Sequence, residues 1–450
     1  MKRCLLVTIS MLLLFVASAQ SIKERLDVQV KRLVEDSQMK HGILGFYVAD
    51  ANTGEPLFEW NGSFGLAPAS TQKIVTSVAA FELLGKDYKY KTEVSYITNG
   101  DIIIKGSGDP TFGSSRYQST KAEVILQKIK TQLQSADKRL SGRVSLEESG
   151  FSFQPIPGGW IWDDIGNYYG AGSWGLNWRE NQYDLLLKPG NKEGDSVTIL
   201  GTQPKIENFS LSNLLRTGKK GSGDNAYIYF PPYSESGFVE GTFEGGSKIS
   251  GSMPDPPLQF KEELLKVLGL NNIKTNDSKK SNRHQGIVLF AHHSPSIDSI
   301  IYWFMRRSIN LYGEALVKTI GMKRSKAGST DTGIAVIKRF YNDKQIVTPA
   351  ELKIIDGSGL SPSNRITAAT LGKILVYARK QSWFSSFEQS FPEFNGMKLK
   401  SGTIRGAKAF AGYHRSKDGR DYTVVIIVNN YDGSAGSIVN KMFKVLDVLK

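Results

Sequence analysis

Cysteine is almost absent: the 450 residues hold one, Cys4. It lies in an apolar stretch, Cys4 to Val16, that follows Lys2 and Arg3 and precedes the small residues Ala17-Ser18-Ala19. That order is the pattern of a secretory signal peptide cut after Ala19, and Cys4 stands too far from the cut to carry a lipid anchor. The chain beyond it has no thiol, which excludes a cysteine nucleophile, thiolate metal ligands and disulfides. No stretch approaches the ~20 apolar residues of a membrane span. The five histidines show no H-E-x-x-H spacing, and His292-His293 closes an expected strand, so they are read as structural and no metal is expected. Gly218 to Asn225 matches no phosphate-cradling loop and reads as an exposed turn. Acidic residues are outnumbered 43 to 57 by Lys and Arg. In an exported protein with scattered lysines, that balance fits a polyanionic envelope surface rather than nucleic acid.

What is present suggests a globular protein of two or three domains. Ile22 to Gln38 has a helical stripe of Leu26, Val30, Leu33 and Val34. Ile43 to Asp50 and Pro56 to Trp60 read as a hairpin. The far end mirrors this, with strands at Met397 to Ile404, Ala409 to Arg415 and Tyr422 to Asn429 and a helix at Ser437 to Leu449. The expectation is one antiparallel sheet built from both chain ends and covered by the terminal helices. A short strand, Gly286 to Ala291, and helices at Ser296 to Arg306, Leu311 to Ile320, Thr330 to Tyr341 and Thr367 to Lys380 complete an α/β (α+β) unit. Residues 92 to 285 differ: rich in Gly, Ser, Asn and aromatics, with short β-like runs at Val197 to Leu200, Tyr227 to Phe230 and Phe238 to Phe243. That composition suggests inserted β-rich domains.

Ala67-Pro-Ala-Ser-Thr-Gln-Lys73 precedes an apolar helical run, Ile74 to Leu84. Ser70 could simply cap that helix. Yet positions i and i+3 share a helix face, so Ser70 Oγ and Lys73 Nζ can meet as nucleophile and base, and burial there would lower the lysine's pKa. The spacing also occurs at Ser37 to Lys40 and Ser135 to Lys138, both in charged, polar surroundings that suit solvated helix ends. Ser308-Ile309-Asn310 falls at a helix junction, and Lys400-Ser401-Gly402-Thr403 lies on a strand with glycine where close backbone approach is needed.

S-x-x-K, then S-x-N, then K-[ST]-G, in that order, resembles the serine acyl-transferase set of penicillin-binding proteins and β-lactamases. About 235 positions separate Lys73 from Ser308, far more than a compact β-lactamase allows. Domains inserted there look like the low-molecular-mass class C penicillin-binding proteins, the D-alanyl-D-alanine carboxypeptidase/endopeptidase family (peptidase family S13). Gly108-Asp-Pro-Thr-Phe112, Gly159-Trp-Ile-Trp-Asp-Asp164, Tyr168-Tyr169-Gly170-Ala171, Asp356-Gly-Ser-Gly-Leu-Ser361 and Ala411-Gly412 are similar to that family as well. Two positions depart from it: Ser401 where threonine is commoner and Ile309 where aspartate is frequent. The resemblance implies a penicillin-binding/β-lactamase-like transpeptidase fold. It also implies a discontinuous catalytic domain at 20–91 and 286–450, an insert at 92–175 with 256–285, and a β-rich insert at 176–255.

The same resemblance implies the roles. Ser70 becomes acylated and Lys73 is its base, kept partly neutral by burial and by the neighbouring Lys400. Ser308 relays the proton to the leaving amine, and Asn310 holds Lys73 and the substrate amide. The backbone N–H groups of Ser70 and Thr403 form the oxyanion hole. Ser401 and Thr403, with Gly402 giving close approach and Lys400 its charge, receive the terminal carboxylate of D-alanine. Asp163, Asp164, Tyr168 and Tyr169 border a pocket for the free amine of a diamino-acid stem peptide; a polar loop packed by aromatics explains them equally well. No cofactor is implied. The implied partners are peptidoglycan stem peptides and, as covalent inhibitors, β-lactams, met in the periplasm or at the cell envelope. A serine β-lactamase remains an alternative, although the insert supplies no evident device for fast deacylation. So does an inactive wall-binding or β-lactam-sensing module, against which the intact motifs argue.

Overall fold

A computed structural model describes residues 21–450 apart from 137–139, 142, 149, 208 and 271–285. The expected signal segment with Cys4, and Lys138 of the motif copy at Ser135, lie outside the described residues.

Both ends of the chain enter one six-stranded antiparallel sheet. Its order is Glu393–Phe394, Met397–Ile404, Ala407–Arg415, Asp421–Asn429, Ile43–Asp50, Pro56–Trp60. The closing pair runs from Ile43 opposite Asn429 to Asp50 opposite Tyr422. Strand 421–429 is buried at every position but its two ends because both faces are covered. Val424, Ile426 and Val428 pack with Leu26, Val30 and Leu33 of the first helix and Ile438 and Met442 of the last. Val425 and Ile427 face the helical portion. Each such side chain, fully buried, contributes about 1.5–3 kcal/mol.

The first helix spans Ile22–Val34, with Ser21 and Glu24 closing a reciprocal capping box. It stops short of the expected Gln38 because Asp36 accepts the Gln38 N–H and starts a separate turn, Ser37–Met39. That turn accounts for the Ser37–Lys40 motif copy, whose lysine is exposed. The other helices follow their expected spans closely, at Ile297–Arg306, Asn310–Ser325, Thr330–Asp343 and Ala368–Arg379. They surround the helix Lys73–Leu83, which is buried on all sides from Lys73 to Phe81.

The strand expected at Gly286 to Ala291 is real but sits elsewhere. It runs Ile287–His293 and pairs with Lys91–Tyr96 in a separate four-stranded sheet with Ile102–Lys105 and Val144–Glu147. Ile287 and Val288 are half exposed, which a central strand covered on both faces would not permit. Helices Ala122–Ser135 and Pro256–Leu268, neither of them among the expected elements, cover this sheet. The remaining insert packs two three-stranded sheets around Leu185, Leu215, Ile228 and Val239. One of them is Ser210–Thr217, Ser236–Phe243 and Asp224–Tyr229.

Candidate active site

Ser70 lies in a 3-10 turn, Ala69–Gln72, and the α-helix begins only at Lys73. The expected helix mouth is therefore a tighter turn, and no side-chain capping bond is made there. Ala69, fully buried, is held at φ 46°. For a residue with a Cβ this left-handed backbone stores strain of order 1 kcal/mol or more, a feature that clusters at functional sites. Packing enforces it: a Cβ on Gly359 would stand 2.0 Å from the Ala69 carbonyl, and one on Gly402 2.6 Å from the Pro68 carbonyl. Glycine at 402 lets strand 397–404 run directly against the Ser70 turn.

Lys73 is fully buried, and its Nζ is 2.9 Å from Ser70 Oγ, 2.7 Å from Asn310 Oδ1 and 2.8 Å from the Ser358 carbonyl. Burial lowers its pKa to about 7 against the opposing pull of Asp356 and Glu314. Lys400 is equally buried; loss of solvent and then the positive field of Lys73 push it well below the usual lysine range. The repulsion is mutual, so each lysine disfavours a second proton on the other. Lys400 Nζ donates to the Ser401 carbonyl at 2.6 Å.

Ser70, Ser308, Asn310 and Thr403 line one cleft of about 790 Å3 together with Asp163, Asp164, Tyr168 and Tyr169. The structure thus brings motifs more than two hundred residues apart to one cavity. Ser308 is itself left-handed, at φ 55°. Asn310 donates its amide nitrogen to the Tyr169 carbonyl at 2.8 Å, so only one of its two N–H groups is left for a substrate. Lys400 and Gly402 share one side of their strand, Ser401 and Thr403 the other.

The acidic and aromatic segment forms a short helix, Trp162–Ile165, and a turn, Tyr168–Gly170. Asp164 is raised to about 6, first by burial and then by Asp163, while Tyr169 and Arg405 oppose the shift. Asp163 accepts the Tyr229 hydroxyl at 3.4 Å.

Several contributors escaped the sequence analysis. Asp356, which the sequence marks only as part of a stretch similar to the family, is a hub. Its carboxylate accepts from Gln72, Trp160, Gly359, Ser361 and Asn364 at 2.7–3.0 Å. Trp160 thereby ties the acidic segment to the loop beneath Lys73. Glu314, one helical turn after Asn310, is fully buried and accepts the Gly357 N–H; burial, and then Asp356, raise it to about 8. Its signal was a lone acid in a run otherwise buried from Asn310 to Gly321. Lys408 donates to the Thr403 hydroxyl at 2.6 Å, and Arg405 reaches the cleft immediately after the third motif. His292 is buried, lies 3.9 Å from Asp109 and is lowered to about 4 by burial. Among the described residues no group of three His, Cys, Asp or Glu side chains could hold a metal ion.

A serine against a buried lysine, with an asparagine between helices and a second buried lysine on the adjoining strand, gathers in space the three motifs set out above. The chain belongs to the D-Ala-D-Ala carboxypeptidase 3 (S13) family, whose pattern it matches over residues 26–393. It is 25% identical to a D-alanyl-D-alanine carboxypeptidase of Actinomadura sp. (strain R39), over 90% of this chain and 81% of that one. It is 23% identical to the D-alanyl-D-alanine carboxypeptidase DacB of Haemophilus influenzae, over 88% and 87%. The crystal structure of penicillin binding protein 4 (dacB) from Haemophilus influenzae superposes with a TM-score of 0.77 at 19% identity, covering 94% of this chain and 99% of that one. The α/β fold with its inserted domains is therefore the one that structure shows. No described helix is long and apolar enough to cross a membrane.

Proposed function

We infer that the protein is an exported serine D-alanyl-D-alanine carboxypeptidase/endopeptidase that cleaves peptidoglycan stem peptides and cross-links through an acyl-enzyme on Ser70. The observation that carries this reading is the 2.9 Å contact between Ser70 Oγ and a fully buried Lys73 whose pKa is lowered to about 7. An ordinary lysine is cationic at neutral pH and cannot accept a proton; burial brings this one's free base within reach near neutral pH.

Lys73 takes the hydroxyl proton as Ser70 Oγ bonds to the carbonyl carbon of the penultimate D-alanine. The oxyanion forms against the N–H groups of Ser70 and Thr403, where one lost donor costs about 3 kcal/mol. The C–N bond then breaks, with Ser308 passing a proton to the departing amine. Water hydrolyses the ester, returning Ser70 and the shortened peptide. Thr403, Ser401 and the nearby Lys400 and Lys408 receive the terminal carboxylate, and the Asp163–Asp164 segment receives the free amine of the diamino acid.

Mass spectrometry after incubation with penicillin tests this reading. A slowly released adduct on Ser70, with loss of D-alanine from a stem peptide, is expected. Rapid turnover of penicillin would instead mark a β-lactamase, and absence of an adduct an inactive module.

A further inference from the structure

The insert presents an aromatic ridge beside the cleft. In strand Asp224–Tyr229, Ile228 enters the insert's core, so Tyr227 and Tyr229 take the opposite face. The neighbouring strand Ser236–Phe243 sets Phe238 opposite Tyr229 and Glu240 opposite Tyr227. Its other edge sets the same two residues opposite Ser212 and Leu214. Paired residues share a face, so Tyr227, Tyr229, Phe238 and Leu214 form one outward surface. The Tyr229 and Phe238 rings stack at 4.6 Å with planes 14° apart, and Trp162 leans on Tyr229 at 5.7 Å. Trp162 is 45%, Tyr227 38% and Leu214 53% exposed. The surface is continuous with the cleft, because Tyr227 also lines the cavity that holds Ser70. Contiguous exposed apolar rings of this kind mark a binding surface rather than chance exposure.

We propose that Trp162, Tyr229 and Phe238 form a carbohydrate subsite that takes the amino-sugar strand to which the stem peptide is attached. The proposal rests on the reading of the cleft as a peptidoglycan peptidase and adds a second part of the substrate to it. A pyranose ring offers a flat face of C–H bonds and a rim of hydroxyls and acetamides. The stacked rings match the face. Asp163, bonded to the Tyr229 hydroxyl, and the exposed Glu240 supply acceptors at the rim. A peptide held at Ser70 carries its sugar to the mouth of the cleft, and the ridge borders that mouth. Polar Ser212 and Glu240 interrupt the rings, an alternation of apolar faces and polar groups that suits a hydroxylated sugar.

The test compares one stem peptide in two forms, free and joined to its disaccharide. Trp162→Ala and Phe238→Ala should each lower kcat/KM on the sugar-linked form roughly five-fold or more, the size of a lost stacking contact. Hydrolysis of the free peptide and penicillin acylation should stay within about two-fold, which also shows that the variants fold. A tetramer of β-1,4-linked N-acetylglucosamine should shift the wild-type tryptophan fluorescence and bind Trp162→Ala more weakly. Equal losses on both peptides, or none on either, would overturn the proposal. So would a protein whose mass doubles with concentration through this face and does not respond to the tetramer. Failure of the wild type on the free peptide would overturn the proposed activity instead, while tetramer binding would still report on the ridge.

Discussion

The acylation centre and the rim that borders it are built on opposite principles. At the centre, Lys73 has three hydrogen-bond partners, Asp356 has five donors and no solvent reaches either side chain. At the rim, Tyr168 is 51% exposed and the Asp163 carboxylate accepts a long hydrogen bond from Tyr229. Burial lowers the lysine's pKa, and the cost of leaving buried polar groups unpaired favours the dense bonding around it. The rim meets a ligand that differs in size and charge, and exposure leaves it free to change without disturbing the chemistry. Tethers that join the regions include Trp160 to Asp356, Ser361 to the Gly159 carbonyl, and Asn310 to the Tyr169 carbonyl.

Changes at the centre should remove chemistry with every substrate. Ser70→Ala should abolish both penicillin labelling and peptide cleavage while the protein stays folded, with intact-mass spectra as the readout; an adduct on another serine would break the assignment. Lys73→Arg should cost at least ~100-fold in acylation, because a guanidinium does not release its proton near neutral pH. In the wild type, protons added below the Lys73 value of about 7 convert the base to its cation. Acylation should therefore fall about ten-fold per pH unit on that side, and rise to a plateau above it. A rate flat from pH 5 to 8 would place the base elsewhere.

Effects of intermediate size sharpen the contrast between close packing and open rim. Gly402→Ala introduces a Cβ 2.6 Å from the Pro68 carbonyl and 3.0 Å from the Ser70 nitrogen. Strand and turn must part, and acylation by penicillin should drop roughly ten-fold, as overpacking by 1–3 kcal/mol implies. At the rim, replacing the responsible acid, Asp163→Asn or Asp164→Asn, should lower turnover of a peptide with a free diamino-acid amine about ten-fold. The N-acetylated peptide and penicillin should be unaffected; equal losses on both peptides would make the segment structural.

The smallest effect is expected inside the centre. Glu314 is held up to about 8, so at pH 7 its carboxyl is mostly protonated and Glu314→Gln keeps its charge and its bond from Gly357. Acylation at pH 7 should stay within about two-fold of wild type. A ten-fold loss would show that the working enzyme keeps Glu314 ionised.

Much of this was legible because it is local. The helical stripe of Leu26, Val30, Leu33 and Val34, the apolar runs of the end strands and the i, i+3 spacing of Ser70 and Lys73 all act within a few residues. The helix start one turn late and the left-handed Ala69 were not legible, because Gly359 and Gly402 press on that turn from distant parts of the chain. The strand at 287–293 showed its apolar run but not its partner, since pairing is chosen by the edge that strand 91–96 presents.

By itself the sequence determined the three motifs, their order and the residue types that acylation demands, because a nucleophile, a base and a carboxylate-binding strand are short-range patterns. Only the tertiary structure decided that Lys73 is fully buried, with its pKa lowered to about 7. That property comes from the water excluded by Phe304, Asn310, Ser358 and Lys400, contributed by three separate stretches of chain. Removal of solvent is a collective act of packing, and no single segment encodes it.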